Sequence, residues 1–175
     1  MIWPIVRYGH PRLRLGSEQS STFTPELIDL VKDLFETVGK NGGLGLAAPQ
    51  VGLQYRLAVV DVSTARSSAS WLSIDGKDAR LRPLVLLNPV LKLSDFVLVA
   101  DEGCLSVPNV TGPVSRSDAV MVTTDTPHGS FKFLARGLLA RVIQHEVDHL
   151  NGVLFIDHLP NGSDIIRQLN ANVMA

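Results

Sequence analysis

The chain has 175 residues, 45% of them hydrophobic and 19% charged, with a formal net charge of -1. That length and composition fit one ordinary globular domain with its own core. The near-zero charge excludes a global basic field for nucleic acid or acidic membrane, the apolar runs are too short to span a bilayer, and a single Cys excludes an intramolecular disulfide.

The first residues, Met1-Ile2-Trp3-Pro4-Ile5-Val6-Arg7, lack the basic-then-apolar order of a secretory signal. The expectation is a cytoplasmic protein in a reducing compartment, with no membrane segment and no nucleic-acid motif.

Residues 1–23 carry Pro4, Gly9, Pro11 and Gly16 and read as an irregular arm. Thr24-Pro25-Glu26 is a helix start: Thr can cap, Pro suits the first helical position, and Glu suits the positive end of the helix dipole. Leu27, Leu30, Val31, Leu34, Phe35 and Val38 follow as one apolar stripe, and Asn41-Gly42-Gly43 stops the helix. In Gly43-Leu44-Gly45-Leu46-Ala47-Ala48-Pro49-Gln50 the small residues let a backbone come close to something. The Lys-Ser/Thr ending of a phosphate loop is absent, and Gln50 is the one side chain there with an amide to offer. Taken alone, a turn packed against the core explains this stretch about as well.

Arg56 to Val62 is a strand candidate, centred on Leu57-Ala58-Val59-Val60. Residues 63–82 are polar and Ser-rich, with Asp75-Gly76, and read as a long surface hairpin or loop. Residues 84–87, 97–100, 119–124 and 131–135 are further short β-rich runs. Leu138, Leu139, Val142, Ile143, Val147 and Leu150 then give helical spacing between Gly137 and Gly152. A last amphipathic turn or two is expected near Ser163-Asp164, carrying Ile165, Ile166 and Leu169. The order predicts an α+β fold, one domain over 1–175, with antiparallel sheets packed around a central helix.

That last long helix contains Gln144-His145-Glu146-Val147-Asp148-His149, a His-Glu-x-x-His motif. Residues four apart share a helix face, so His145 and His149 can present two imidazoles to one metal ion, with Glu146 placed as a general base toward a water there. The bland alternative is an amphipathic helix with two incidental histidines. Three fixed residue types in a matching context weigh against it.

Two His leave a catalytic site one protein ligand short. One large metalloprotease group extends the motif as His-Glu-x-x-His-x-x-Gly-x-x-His. This chain follows that pattern to Gly152 and then has Phe155 where the third His belongs, and no Glu follows Glu146. Asp157 and His158 lie just past the helix, poorly placed to fold back, and Asp164 lies further on. Upstream, Glu102-Gly103-Cys104-Leu105-Ser106-Val107-Pro108 holds the single Cys at the end of an apolar strand. A lone Cys is more often a small buried hydrophobe than a ligand. Here the motif lacks one ligand, and a thiolate with two neutral imidazoles leaves an open fourth position at a divalent ion.

Three segments in this order resemble the peptide deformylase family: Gly43 to Gln50, then Glu102-Gly103-Cys104-Leu105-Ser106, then Gln144-His145-Glu146-Val147-Asp148-His149-Leu150. Weaker similarity runs from about Gly9 to Leu159. The resemblance implies a hydrolase that removes the formyl group from the N-terminal formylmethionine of newly made polypeptides, releasing formate. It implies Fe(II) as the native metal, with Zn, Ni or Co able to substitute. Nascent formylmethionyl peptides, met near the ribosomal exit tunnel, are the implied partners. By resemblance Cys104, His145 and His149 bind the metal, and Glu146 takes a proton from water and passes it to the leaving amine. The Gln50 amide and the Leu105 backbone N–H donate to the oxyanion. Gly45 hydrogen-bonds substrate, and Leu44, Val107, Leu138, Arg141 and His145 border the methionine pocket. Glu102 pairs with Arg116 to brace the loop carrying Cys104. Simple core packing is the preferred reading of Val142.

The chain departs from the family pattern in three places. Residues 63–82 are longer than in many members and are expected to affect only the surface. Thr111 stands where several bacterial members carry Arg, so altered contacts beyond methionine are expected. The tail after Leu159 is short for a ribosome-docking helix. Two other readings differ in kind. A metalloprotease with another third ligand would cleave internal bonds and tolerate Cys104→Ser. A non-catalytic metal-binding module would have lost its base or its donor, whereas Glu146 and Gln50 are both present.

Overall fold

The computed structural model describes residues 1–20, 23–63, 65, 70–79, 82–160, 162, 165, 166 and 169. The first helix, α1 (Pro25–Lys40), begins as its sequence demands: the Thr24 hydroxyl accepts from the Leu27 N–H at 3.3 Å, and Pro25 opens the first turn. Leu27, Leu30, Leu34 and Val38 are buried on one face, against Leu46, Leu57, Val59 and Leu87. Asn41 caps the helix and Gly42 follows it with φ 67°.

Ten strands form three sheets among the described residues. β1 (Gly45–Ala47), β2 (Leu57–Val60) and β5 (Leu84–Leu87) make the first, in the order β1-β2-β5. β3 (Ser70–Ile74), β4 (Lys77–Ala79), β6 (Val90–Leu93), β9 (Ala119–Thr126) and β10 (Gly129–Gly137) make the second, in the order β4-β3-β10-β9-β6. β7 (Val97–Cys104) and β8 (Val107–Ser117) make a long hairpin of their own. Every pairing within these sheets is antiparallel. The fold is mixed helix and antiparallel sheet, as the order of elements predicted.

The second helix, α2 (Leu138–Leu150), follows β10 without a loop. Gly137 makes that junction possible, with φ 62°, a backbone region costly for any residue bearing a Cβ. The buried face of α2 places Leu139, Ala140, Ile143 and Leu150 in one cluster with Ala47, Ala58, Val60, Val122 and Phe133. Its polar side also docks on backbone. The Gln144 amide accepts from the Ser117 N–H at 3.1 Å and donates to the Ser117 carbonyl at 2.8 Å, as a neighbouring strand would.

The structure corrects two expectations. Residues 63–82 are more than a surface feature: β3 and β4 form a hairpin over Asp75-Gly76, β3 pairs with β10, and Leu72 is buried beside Leu139 and Ile143. The Ser67-Ser68-Ala69 stretch lies outside the described residues, as do Ser163 and Asp164. β8 was not foreseen, because Pro108, Asn109, Gly112 and Pro113 punctuate its sequence. The strand absorbs them at an exposed edge, with Asn109 in the left-handed region at φ 64°. Ile165, Ile166 and Leu169 pack partly buried against Leu13, Val114 and Phe155.

One hydroxyl ties the first two sheets together. Thr124 on β9 accepts from the Leu87 N–H at 2.8 Å and donates to the Leu87 carbonyl at 2.9 Å, all of it buried. Thr124→Val keeps the shape and strands both backbone groups. The expected loss is roughly 1–3 kcal/mol of unfolding free energy, read from urea titrations of the two proteins. An unchanged midpoint would refute this role.

Candidate active site

Cys104 ends β7 at the tip of the β7–β8 hairpin, where its backbone pairs with Val107 across Leu105-Ser106. The pairing register shifts between Gly103 and Cys104, a bulge of the kind that re-aims a side chain. His145 and His149 stand one helical turn apart on α2, with ring centroids 5.0 Å apart and planes 75° to each other. The Cys104 Sγ lies 3.2 Å from His149 Nε2. One sulfur and one nitrogen from each imidazole all lie within 4.8 Å of one another. Tetrahedral coordination with bonds of about 2.0–2.3 Å puts ligand atoms about 3.3–3.6 Å apart, so the donor set suits one ion.

Glu146 lies beside this cluster, buried, and its Oε2 has no hydrogen-bond partner among the described residues. Gly45 on β1 lets it stand there: a Cβ at position 45 would come within 2.5 Å of the Glu146 carboxylate. The close backbone approach read from the Gly- and Ala-rich segment is therefore an approach to Glu146. Gln50 sits in the short 3-10 turn Ala48–Val51. Its Oε1 accepts from the Ala47 N–H at 2.8 Å, which turns the NH2 toward Cys104 Sγ at 3.5 Å and Ser106 Oγ at 3.4 Å.

A cavity of about 430 Å³ opens over these groups. Leu44, Gly45, Gln50, Glu102, Cys104, Leu105, Val107, Leu138, Arg141, His145 and Glu146 all line it, and so does Thr111. His149 lies beneath, 1% exposed. Val142 also reaches the cavity wall while packing against the core, so core packing describes only part of its position.

Residues 2–164 match the family model for polypeptide deformylase. The chain belongs to the polypeptide deformylase family. A peptide deformylase of Opitutus terrae is 43% identical over 162 residues, covering 89% of this chain and 83% of that protein. One of Methylacidiphilum infernorum is 44% identical, with 91% and 85% covered. The crystal structure of peptide deformylase from Ehrlichia chaffeensis superposes with a TM-score of 0.84 at 31% identity, covering all of both chains. A class I type b peptide deformylase from Acinetobacter baumannii, bound to Met-Ala-Ser, gives 0.78 at 29% identity over 91% of this chain and 99% of its own. The enzyme is thus a hydrolase that removes the N-formyl group from formylmethionine at the start of nascent peptides, and its family is metal-dependent.

Arg116 is where this deformylase site is braced. Its Nε and Nη2 donate to the two oxygens of Glu102 at 2.9 and 3.0 Å. Glu102 does more than the expected pairing. Its Oε2 also accepts from His145 Nδ1 at 3.0 Å, and its Oε1 from Arg141 at 2.8 Å. Arg141 further donates to the carbonyls of Leu98 and Val114, so the residue expected only as pocket wall also clamps the hairpin to α2. Ser106, Phe155, Asp148 and His158 were not foreseen as neighbours of the site. Phe155 stacks on the His145 ring at 6.1 Å. Asp157 pairs with Arg14 and His158 with Asp148, so neither approaches the donor cluster. The spacing of the extended His-Glu-x-x-His-x-x-Gly-x-x-His motif, which puts Phe155 at its third-ligand position, was the only sequence signal pointing at that residue.

Burial works against charge on the Glu102 carboxyl, but hydrogen bonds from His145 and Arg116 outweigh it and hold it well below the usual carboxylate range. Burial also opposes the charged form of His145. Hydrogen bonds to Cys104 and Glu102 and the field of Glu146 overcome this and raise it to about 10. Burial pushes His149 well below its ordinary value and pushes Glu146 up to about 7. This environment favours positive charge at His145, as a proton or as a cation in its place. Metal binding at pH 7 should release about one proton or more per ion, measured by calorimetric titration in buffers of different ionisation enthalpy. Binding with no proton release would contradict the raised His145.

Proposed function

We propose that Cys104, His145 and His149 hold the family's metal ion, that Glu146 is the general base and acid, and that Gln50 and the Leu105 N–H stabilise the developing oxyanion. The observation that carries this reading is the convergence of one sulfur and two imidazole nitrogens within 4.8 Å, beside an unpartnered buried carboxylate and an amide aimed at the same point. Fe(II) is the native ion, and Zn, Ni or Co can take the same donors. The protein works as one domain over 1–175, with α2 as the central helix. Its contacts with β1, β2, β3, β8 and β10 support that arrangement. It acts in the cytoplasm on nascent chains near the ribosomal exit tunnel.

Cys104, His145 and His149 would hold the metal, which when bound would supply Lewis acidity to the formyl group and the attacking water. Glu146 accepts the proton of that water as it adds to the formyl carbon, forming a tetrahedral intermediate. The charge on the former carbonyl oxygen falls between the Gln50 NH2 and the Leu105 N–H. Glu146 then returns the proton to the departing nitrogen as the C–N bond breaks, leaving formate and a free amine. Gly45 offers backbone hydrogen bonds to the peptide, and Leu44, Val107, Leu138 and Arg141 surround its methionine side chain. All five line the same cavity as His145.

Formate should appear when anaerobically metal-loaded protein meets a formyl-Met peptide. Failure of a metal-replete sample to release it would refute the assigned site. Glu146→Gln should keep the metal and lose roughly a hundredfold or more in turnover. Activity surviving in that variant would make Glu146 the wrong base. Gln50→Leu should lower kcat by roughly 100- to 1000-fold with KM changed far less, which steady-state kinetics can separate. Glu146 must be ionised to act, and burial pushes it up to about 7 while a bound cation pulls it down. The rate should therefore fall with falling pH, on a limb at or below about 7 that Glu146→Gln abolishes. A limb well above that value would assign the titration to another group.

A further inference from the structure

Asp148 and His158 have no task in the reaction just described, yet they complete a hydrogen-bonded chain that ends on a ring nitrogen of His145. His145 Nδ1 donates to Glu102 Oε2 at 3.0 Å, and Glu102 takes both its bidentate bonds from Arg116. Arg116 Nη1 donates to Asp148 Oδ2 at 2.5 Å. His158 Nε2 donates to the same oxygen at 2.8 Å. Donors and acceptors alternate along the whole path from the second histidine's turn to the cluster of ligands.

The outer end of the chain is held in place. His158 closes the 3-10 turn Phe155–His158, whose third residue, Asp157, accepts from the Leu154 N–H at 2.8 Å and pairs with Arg14 at 2.5 Å. The first residue of that turn, Phe155, is buried and stacked on the His145 ring at 28°. One turn thus controls His145 twice, through its face and through its Nδ1. The chain surfaces in a second cavity of about 540 Å³, separate from the substrate cavity and lined by Arg116, Asp148 and His158.

We propose that Asp148 and His158 are positioning residues of the metal centre, fixing the orientation of His145 through Arg116 and Glu102. The inference rests on the ligand set of the preceding section. Arg116 is 6% exposed, so its Nη1 cannot exchange Asp148 for bulk water without moving. Movement of Arg116 carries Glu102 with it, because two bonds join them. A tilted Glu102 would leave the Nδ1–H of His145 badly aligned and turn its other nitrogen away from the point where the Cys104 and His149 donors converge. A group that hydrogen-bonds a ligating His directly, as Glu102 does, typically changes metal affinity by about 10- to 100-fold, and the more distant Asp148 and His158 are expected at the low end of that range.

The test compares wild type, Asp148→Asn, His158→Phe and His158→Gln, each loaded with Co(II) without oxygen. The readouts are the visible absorption of the bound Co(II), its rate of loss to excess EDTA, and urea unfolding of the metal-free proteins. Asp148→Asn and His158→Phe should lose Co(II) about tenfold faster and shift the visible bands. His158→Gln keeps an N–H donor and should return to within about twofold of wild type. The metal-free Phe and Gln variants should unfold alike. Phe and Gln variants that both match wild type, or that lose the ion equally fast, would overturn the proposal. So would faster loss that merely follows a drop in metal-free stability. If Asp148→Asn fails to fold, the His158 pair decides alone. Wild type lacking a thiolate-to-cobalt charge-transfer band would instead overturn the Cys104 ligand set, and this inference with it.

Discussion

The carboxylate of Glu102 is 7% exposed and receives hydrogen bonds from Arg116 on β8 and from Arg141 and His145 on α2, while sitting on β7 itself. Taking a carboxylate and an arginine out of water costs several kcal/mol each, and only good geometry with further hydrogen bonds offsets that. Here every Glu102 oxygen is occupied, and the arrangement fixes the hairpin bearing Cys104 relative to the helix bearing the two histidines. Breaking such a buried pair by removing one member typically costs about 3–5 kcal/mol. The separation of sulfur from imidazole thus depends on an ionic joint that spans the hairpin and the helix along one wall of the cavity.

The same joint sets the electrostatics. With Glu102 charged and Glu146 and Cys104 nearby, His145 gathers a proton that burial alone would deny it. His149, which has no such carboxylate partner, is driven the opposite way by burial. Two imidazoles one turn apart on one helix differ because at His145 the pull of Cys104, Glu102 and Glu146 outweighs burial, whereas at His149 burial and the charge of His145 act together. Glu146 remains the isolated one of the two acids, and its elevated position follows from burial first.

Much of this was legible in the sequence. Thr24-Pro25-Glu26 announces α1, and the strand expected over 56–62 is present as Leu57–Val60, shorter at both ends. The His-Glu-x-x-His spacing names two of the three converging donors, and the shortage of a third directs attention to Cys104. What escaped has a physical cause in each case. β8 is written in residues that usually end strands; pairing of residues 111–117 with β7 overrides that preference at Gly112 and Pro113, while Pro108 and Asn109 fall where the register shifts. Residues 63–82 look like a solvated loop, because only Leu72 and its pairing with β10 reveal their place in the sheet. The reach of Glu102 to His145, and of His158 to Asp148, joins residues 43 and 10 positions apart, which no local periodicity encodes.

The irregular first twenty residues touch all three signature segments. Val6 N–H donates to the Gln50 carbonyl, Tyr8 N–H to that of Ser106, and Ser17 N–H to that of Leu150, while Arg14 reaches Asp157. Residues 6–17 are therefore anchored to segments as far along the chain as Asp157. Closing a loop of that span must precede the contacts that reward it, which slows folding and defers it. The site therefore takes shape late in folding, when its most widely separated segments have met.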